Sequence, residues 1–326
     1  MRKADEWGEA RVVAIRDVAA DIREFQLSPQ GGAGAYPSGA HLRVRVQLAD
    51  GRWELRHYSL IGAAPRDGAW RIAVKRESPG RGGSRWMHAL NVGATLDVAA
   101  PASHFELSPA CSSVLLIAGG IGVTPLVGMA ERLVARGAAV RMIQAARGRD
   151  GLAYGDELAA LLGDGYRASI DDEGARIDFA AAFAALPADG ECYVCGPAGM
   201  MAAARDAWHG AGRAADLLRF ETFGGTGGAA RAFTVRLPAL GREVEVPADA
   251  SMLDALERAG VEMLADCRRG ECGLCAVDVL DCDSTIEHRD VFFSAEQHAE
   301  GKRICACVSR ADGGTLSIDT YWRPAA

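Results

Sequence analysis

The chain has 326 residues, enough for two or three domains at roughly 150 residues each. Its 49% hydrophobic and 24% charged residues fit a soluble globular protein and exclude a disordered chain, a collagen and a coiled-coil rod. A net charge of -7 argues against nonspecific nucleic-acid binding. No run approaches the ~18 apolar residues of a membrane helix, so a cytoplasmic protein without membrane attachment is expected.

In chain order, short apolar runs at 11–15, 22–27, 42–47, 53–60, 70–74 and 95–98 read as strands. Turns such as Asp50-Gly51 and Asp67-Gly68 separate them, a pattern that predicts an antiparallel barrel or sandwich. A helix is predicted to start near Ser84. From residue 113 the pattern changes. Strands at 114–118, 140–145, 166–170 and 191–195 alternate with helices at 124–136, 156–162, 179–186 and 199–210, which predicts a doubly wound parallel sheet. The sequence FGGTGGAA at 223–230 reads as a linker. Beyond it come a hairpin (233–237 and 243–246), a helix at 252–259 capped by Ser251, and a last strand near 316–319. The predicted division is 1–110, 111–224 and 231–326, with 225–230 as linker. The segment from 229 onward holds 17 acidic and 11 basic residues, nearly all of the net charge.

Six of the nine cysteines fall in the last 60 residues. Cys267, Cys272 and Cys275 have the spacing C-x4-C-x2-C, and further cysteines follow about thirty residues on. This is the spacing of plant-type [2Fe–2S] sites. Zinc sites more often pair two C-x2-C units, and this cysteine-rich segment holds only one, Cys272–Cys275. The spacing leaves both Cys305 and Cys307 open as fourth ligand. They share a face only if the segment is extended. Cys282 reads as a bystander.

Residues 115–125, LLIAGGIGVTP, are a buried strand, a glycine turn (Gly119, Gly120, Gly122) and a helix start with Thr124 and Pro125. Such a turn lets backbone N–H groups approach a pyrophosphate. The GGIG spacing departs from the usual dinucleotide fingerprint. A second strand ends in Cys195-Gly196-Pro197, and strand ends of such a sheet line one crevice, where Cys195 reads as a nicotinamide contact rather than an inert core thiol. Asp171, which opens the Asp171-Asp172-Glu173 turn, is placed to accept from ribose hydroxyls and to disfavour a 2′-phosphate. Arg147 is the competing feature. In the first region, Arg56, Tyr58 and Ser59 of RHYSL are expected on one face of a strand, with His57 on the other. Gly82, Gly83 and Ser84 offer a second anion-binding helix start.

RHYSL, RGGS, LLIAGGIGVTP, YVCGPAGM, FETF, C-x4-C-x2-C and CVSRA occur in that order over nearly the whole chain. In this the sequence resembles the phthalate dioxygenase reductase family, the single-chain reductases of two-component Rieske oxygenases. The resemblance implies a multidomain chain: an antiparallel β-barrel for FMN, a doubly wound α/β domain for NAD and a C-terminal plant-type ferredoxin β-grasp domain. It implies that Arg56, Tyr58, Ser59, Gly82, Gly83 and Ser84 hold FMN, and that Phe223, which ends FETF, lies near it. It assigns the fourth cluster ligand to Cys307, which opens CVSRA, although a slightly long segment around 281–283 keeps Cys305 open. The function implied is an NADH-dependent FMN/[2Fe–2S] reductase. It would work as a monomer and pass electrons to a Rieske-type oxygenase or demethylase, with no side chain needed as acid or base. The alternatives are a reductase for a diiron or P450 monooxygenase, and a redox-sensing module that needs no nicotinamide crevice.

Overall fold

Alternation of apolar and polar residues builds the first sheet. In the strand Ala40–Gln47, Leu42, Val44 and Val46 are fully buried while Arg45 points to solvent. The structure, a computed structural model, describes residues 6–78, 80, 82–109, 111–223 and 231–323. Arg81 of RGGS and the predicted linker at 225–230 lie outside the described residues. The early strands are β1 (Trp7–Ala19), β2 (Ile22–Pro29), β3 (Ala40–Gln47), β4 (Trp53–Ser59), β5 (Trp70–Lys75), β6 (Thr95–Ala99) and the short β7 (Ala102–Ser103). They form a sheet of order β4-β3-β6-β1-β2-β5, with β7 on β3. All pairings are antiparallel. A bridge between Leu60 and Ile72 joins the two ends and closes the barrel. The helix α1 (Gly83–His88) buries Met87 in the barrel core.

The second sheet is wholly parallel, in the order β10-β9-β8-β11-β12. Its strands are β8 (Ser113–Gly119), β9 (Ala139–Ala146), β10 (Tyr166–Ile170), β11 (Glu191–Cys195) and β12 (Leu218–Glu221). Its helices are α2 (Val123–Ala135), α3 (Gly155–Leu162), α4 (Phe179–Ala184) and α5 (Ala198–Gly210). β8 and β11 are buried on both faces, which is why they are nearly continuous apolar runs. One face packs on α2 and α3, the other on α4 and α5. The order reverses between β8 and β11, the switch point where such sheets bind ligands. The α2 face also packs barrel residues Ile22, Ile61, Ala73 and Phe105 into its core. Barrel and nucleotide sheet therefore form one compact unit, Met1–Glu221.

The second unit is Thr222–Ala326. It holds a five-stranded mixed sheet of order β14-β13-β19-β15-β17. These strands are β13 (Phe233–Leu237), β14 (Arg242–Val246), β15 (Ala276–Cys282), β17 (Arg303–Cys305) and β19 (Thr315–Asp319). The helix α6 (Met252–Arg258) lies on it and is capped by Ser251, whose Oγ accepts from Asp254 N at 3.0 Å. A two-stranded ribbon, β16 (Ile286–Glu287) with β18 (Arg310–Ala311), and the helix α7 (Ala295–Glu300) complete it. The parallel β13–β19 pair beside the β13–β14 hairpin, covered by a helix, is a β-grasp arrangement. No helix among the described residues is long and apolar enough to cross a membrane.

Candidate functional site

Three sets of predicted residues come together, each for a local reason. The first is in the barrel. Gly82 precedes α1 with φ 106°, and a Cβ there would lie 2.9 Å from the Ala49 nitrogen, so only glycine fits. A Cβ on Gly83 would stand 3.0 Å from Val46 and 3.4 Å from Arg56 Nε. The arginine of RHYSL thus lies directly against the start of the glycine-led helix, an approach the Cβ-free backbone of Gly83 permits. Arg56 also pairs with Glu54 at 2.7 Å. Ser84 Oγ accepts from the Glu77 N–H at 3.1 Å and anchors the loop before the helix.

Tyr58 shares the Arg56 face of β4 and packs on the barrel core, and burial pushes its hydroxyl well above the usual range. The expected one-face grouping of Arg56, Tyr58 and Ser59 does not hold for the serine. Consecutive strand residues face opposite sides, so Ser59 stands on the His57 side. There Ser59 Oγ donates to Glu221 Oε2 at 3.3 Å, and His57 lies 4.9 Å from the His41 ring. Both Ser59 and Glu221 are buried. The glutamate of FETF was not singled out from the sequence, and its separation of 162 residues from Ser59 left no local signal.

The second set lies at the switch point. A Cβ on Gly122 would be 2.1 Å from the Cys195 carbonyl oxygen, one on Gly119 would be 2.6 Å from Pro197 Cδ, and one on Gly196 would be 3.0 Å from Gly119 Cα. The two turns predicted to face one ligand therefore touch, and only glycines permit it. Gly120 has φ 53° and open space where a Cβ would be. Thr124 Oγ1 donates to the Ile121 carbonyl at 2.9 Å, fixing the turn before α2, and Pro125 sits in the first turn of that helix. The Cys195 thiol is wholly buried beneath α2. At the adjoining strand ends, Asp172 N donates to the Arg147 carbonyl at 2.9 Å, and Asp171, Asp172 and Arg147 are exposed. Arg149 is engaged by Glu173 through two hydrogen bonds of 2.5 and 2.8 Å.

The third set is the cysteine loop of the second unit. The N–H groups of Arg269, Glu271 and Cys272 all point at Cys267 Sγ, each at 3.4 Å. Gly270 and Gly273 carry positive φ, and a Cβ on Gly273 would meet the Phe292 ring at 2.2 Å. The Cys307 thiol donates to Cys267 and holds it down to about 4, with the three N–H groups adding to the effect against burial. Cys275 is held down to about 3 by the thiols of Cys305 and then Cys307. Burial raises Cys272, and its neighbour Cys267 adds to this. Cys307 thus influences both Cys267 and Cys275, whereas the strongest influence on Cys305 is Cys275. The two do not share a strand face, because β17 ends at Cys305 and the chain turns at once: Ser309 N donates to the Cys305 carbonyl at 3.0 Å. Cys282 Sγ instead faces the Ser284 carbonyl at 3.3 Å. A set of converging sulfurs, two of them favoured as thiolates, with N–H dipoles aimed at one, fits a [2Fe–2S] cluster.

The remaining CVSRA residues hold this turn. Buried Arg310 donates to the carbonyls of Ala250, Arg231 and Pro247 and lies over the Phe233 ring. Ser309 Oγ donates to Asp290 Oδ1 at 2.9 Å and accepts from Arg289 N at 3.0 Å. Thr222 N donates to Glu271 at 2.5 Å, and Thr222 Oγ1 donates to the Arg269 carbonyl at 2.7 Å.

A flavin-type barrel, a nucleotide sheet and a β-grasp cysteine loop in one chain define a flavin and iron–sulfur oxidoreductase. The comparisons agree. Residues 9–107 match the oxidoreductase FAD-binding domain, 116–206 the oxidoreductase NAD-binding domain, and 237–312 the 2Fe-2S iron-sulfur cluster binding domain. A toluene-4-sulfonate monooxygenase system reductase subunit from Comamonas testosteroni is 36% identical over 314 residues, 94% of this chain and 97% of that one. The structure of a phthalate dioxygenase reductase, described as modular for electron transfer from pyridine nucleotides to [2Fe–2S], matches with TM-score 0.74 and 31% identity. The match covers 96% of this chain and 98% of that one. An intact type IV self-sufficient cytochrome P450 monooxygenase matches with TM-score 0.67 and 34% identity over 96% of this chain, which spans 41% of that longer protein. The chain belongs to the phthalate dioxygenase reductase family. It is an NADH-dependent reductase of the kind that serves oxygenase systems.

Proposed function

We propose that this chain is the FMN/[2Fe–2S] reductase of a two-component Rieske-type oxygenase or demethylase, acting as a cytoplasmic monomer. When bound, NADH supplies a hydride, the flavin divides its two electrons, and the cluster carries them singly to the partner. In this reading the modules are 1–110, 111–224 and 231–326. Arg56, Gly82, Gly83 and Ser84 hold the flavin phosphate, Tyr58 and Phe223 border the ring, and Ser59 approaches from the Glu221 side. Gly119, Gly120, Gly122, Thr124, Pro125, Gly196 and Pro197 form the nucleotide turn, with Cys195 beneath it and Asp171 at the ribose. Cys267, Cys272, Cys275 and Cys307 hold the cluster.

The observation that carries this reading is the C-x4-C-x2-C loop in which the N–H groups of Arg269, Glu271 and Cys272 all aim at Cys267 Sγ, in a chain whose barrel and parallel sheet supply the flavin and nucleotide modules. The choice of FMN rests on the resemblance of the RHYSL and RGGS motifs to the phthalate dioxygenase reductases. The matched barrel family is described by FAD, so the cofactor released by heat is the direct test: FMN supports the reading and FAD overturns it. Anaerobic titration with NADH tests the rest. The expected result is loss of flavin absorbance together with a reduced [2Fe–2S] EPR signal, and absence of that signal overturns it. The likeness to a P450 fusion at 34% identity supports a second reading, a haem monooxygenase as partner. Reconstitution with a Rieske oxygenase and with a P450 separates the two.

A further inference from the structure

Behind the cysteine loop, outside the set assigned to the cluster, lie His288, Asp290 and His298. One donor atom from each falls within 4.8 Å of the others. The segment after β16 delivers His288 and Asp290. Helix α7 delivers His298, its start fixed by a capping box between Ser294 and Gln297. The two imidazoles stack at 4.4 Å between centroids and 18° between planes. The Asp290 side chain is fully buried between them and the cysteine loop. Its Oδ2 is 3.0 Å from His298 Nε2 and accepts from Phe293 N at 3.0 Å, and its Oδ1 accepts from Ser309 Oγ at 2.9 Å.

His288 differs from its neighbours. Its side chain is 10% exposed, and both ring nitrogens are buried without a hydrogen-bond partner. The nearest carboxylate oxygen, Asp290 Oδ1, is 3.9 Å from Nδ1, beyond hydrogen-bond reach. A neutral imidazole carries one N–H and one lone pair, and burying both unmet is costly. Two imidazoles and a carboxylate form a donor set that suits borderline divalent ions. Bonds of about 2.0–2.1 Å in a tetrahedron put donor atoms roughly 3.3 Å apart. The Asp290–His298 pair, at 3.0 Å, is near that spacing, and His288 Nδ1 lies 3.9 Å from Asp290 Oδ1.

We propose that His288, Asp290 and His298 form a binding site for one divalent transition-metal ion such as Zn2+, separate from the iron–sulfur ligands, with water completing its shell. The ion satisfies the lone pair of His288 and ties α7 to the back of the cysteine loop. There a Cβ on Gly270 would lie 2.9 Å from Asp290 Cα, and Val291 N donates to the Gly270 carbonyl at 3.0 Å.

The test uses tag-free holoprotein, treated with chelator under conditions that leave its iron content unchanged and then dialysed against Zn2+. Bound zinc and iron are counted together. One zinc per chain with iron unchanged is expected, and X-ray absorption at the zinc edge should show nitrogen and oxygen neighbours with imidazole scattering. Asp290→Asn disturbs bonds that hold the loop, so the variants to compare are His288→Ala and His298→Ala. Each should keep the visible cluster bands and weaken zinc binding at least tenfold. Zinc binding equal to wild type in both variants overturns the proposal. So does zinc uptake matched by loss of iron, or sulfur in the zinc shell at about 2.3 Å.

Discussion

Cys307 and Cys305 are two residues apart, yet their environments divide them. Cys307 acts on the thiols of both Cys267 and Cys275, whereas Cys305 acts chiefly on Cys275, so replacing Cys307 removes the sulfur that couples the loop to the CVSRA turn. Cys307→Ser should abolish the visible cluster bands, and Cys305→Ser should retain them. The opposite pair of spectra would reassign the ligand. Cys282→Ser should leave the spectrum intact, since that thiol faces the Ser284 carbonyl. Gly122 is the second decisive residue. Gly122→Ala drives a methyl to 2.1 Å from the Cys195 carbonyl oxygen, so the two turns must part. Overpacking of this kind costs about 1–3 kcal/mol. A rise in KM for NADH and a lower Tm are expected, while the flavin content should stay at the wild-type level.

At the scale of elements, alternation and turn chemistry made most of the first unit legible. The predicted strands at 166–170 and 191–195 coincide with β10 and β11, and the predicted 233–237 with β13. What was not legible depended on long-range pairing. β15 begins directly after Cys275, so the cysteine motif masked its AVDVLDC pattern, and the two-residue strands of the β16–β18 ribbon are too short to show a period. Whether Cys305 and Cys307 share a face depended on where β17 stops, which the turn at 306–308 decides. Ser309 and Arg310 could be quoted as motif letters, but their work as struts became visible only with their partners in place. Removing that work has a cost. Arg310→Met leaves three carbonyls without their donor, that of Ala250 buried and those of Arg231 and Pro247 partly so, and the ferredoxin unit should lose roughly 1–3 kcal/mol. Thermal loss of the cluster bands should then occur at lower temperature than loss of the flavin signal. The ends of β9 and β10 make a further prediction. With Arg149 engaged by Glu173, the exposed Asp171 and Asp172 face Arg147 across the strand ends. Carboxylates there repel a 2′-phosphate, so kcat/KM should favour NADH. Asp171→Ala should narrow the ratio by about tenfold, equivalent to ~1.4 kcal/mol. A wild-type preference for NADPH would show that Arg147 dominates.

At the scale of the whole molecule, three matched sequence regions resolve into two packed units, because barrel and nucleotide sheet share the core around α2. Buried Glu24 of β2 accepts from the hydroxyl of Tyr154, just before α3, at 2.8 Å, and it lies 3.6 Å from Arg71 of β5, so the shared surface is polar as well as apolar. The second unit has its own core, built from Val235, Leu253, Leu256, Ile304 and their neighbours. Separate cores predict separate survival. A chain ending at Gly225 keeps Phe223 and every residue of the first core, and it deletes all the loop cysteines together with the partners of Thr222. It should fold, retain flavin and lose it on heating at a temperature close to that of the full chain. NADH should still bleach its flavin and reduce small two-electron acceptors. Fast cytochrome c reduction and support of an oxygenase should disappear, because the cluster through which single electrons leave for a protein partner is gone. A truncated chain that fails to hold flavin would mean that the first unit depends on the second. One that reduces its oxygenase at the full rate would place the electron exit outside the ferredoxin unit and favour a sensing role for the cluster.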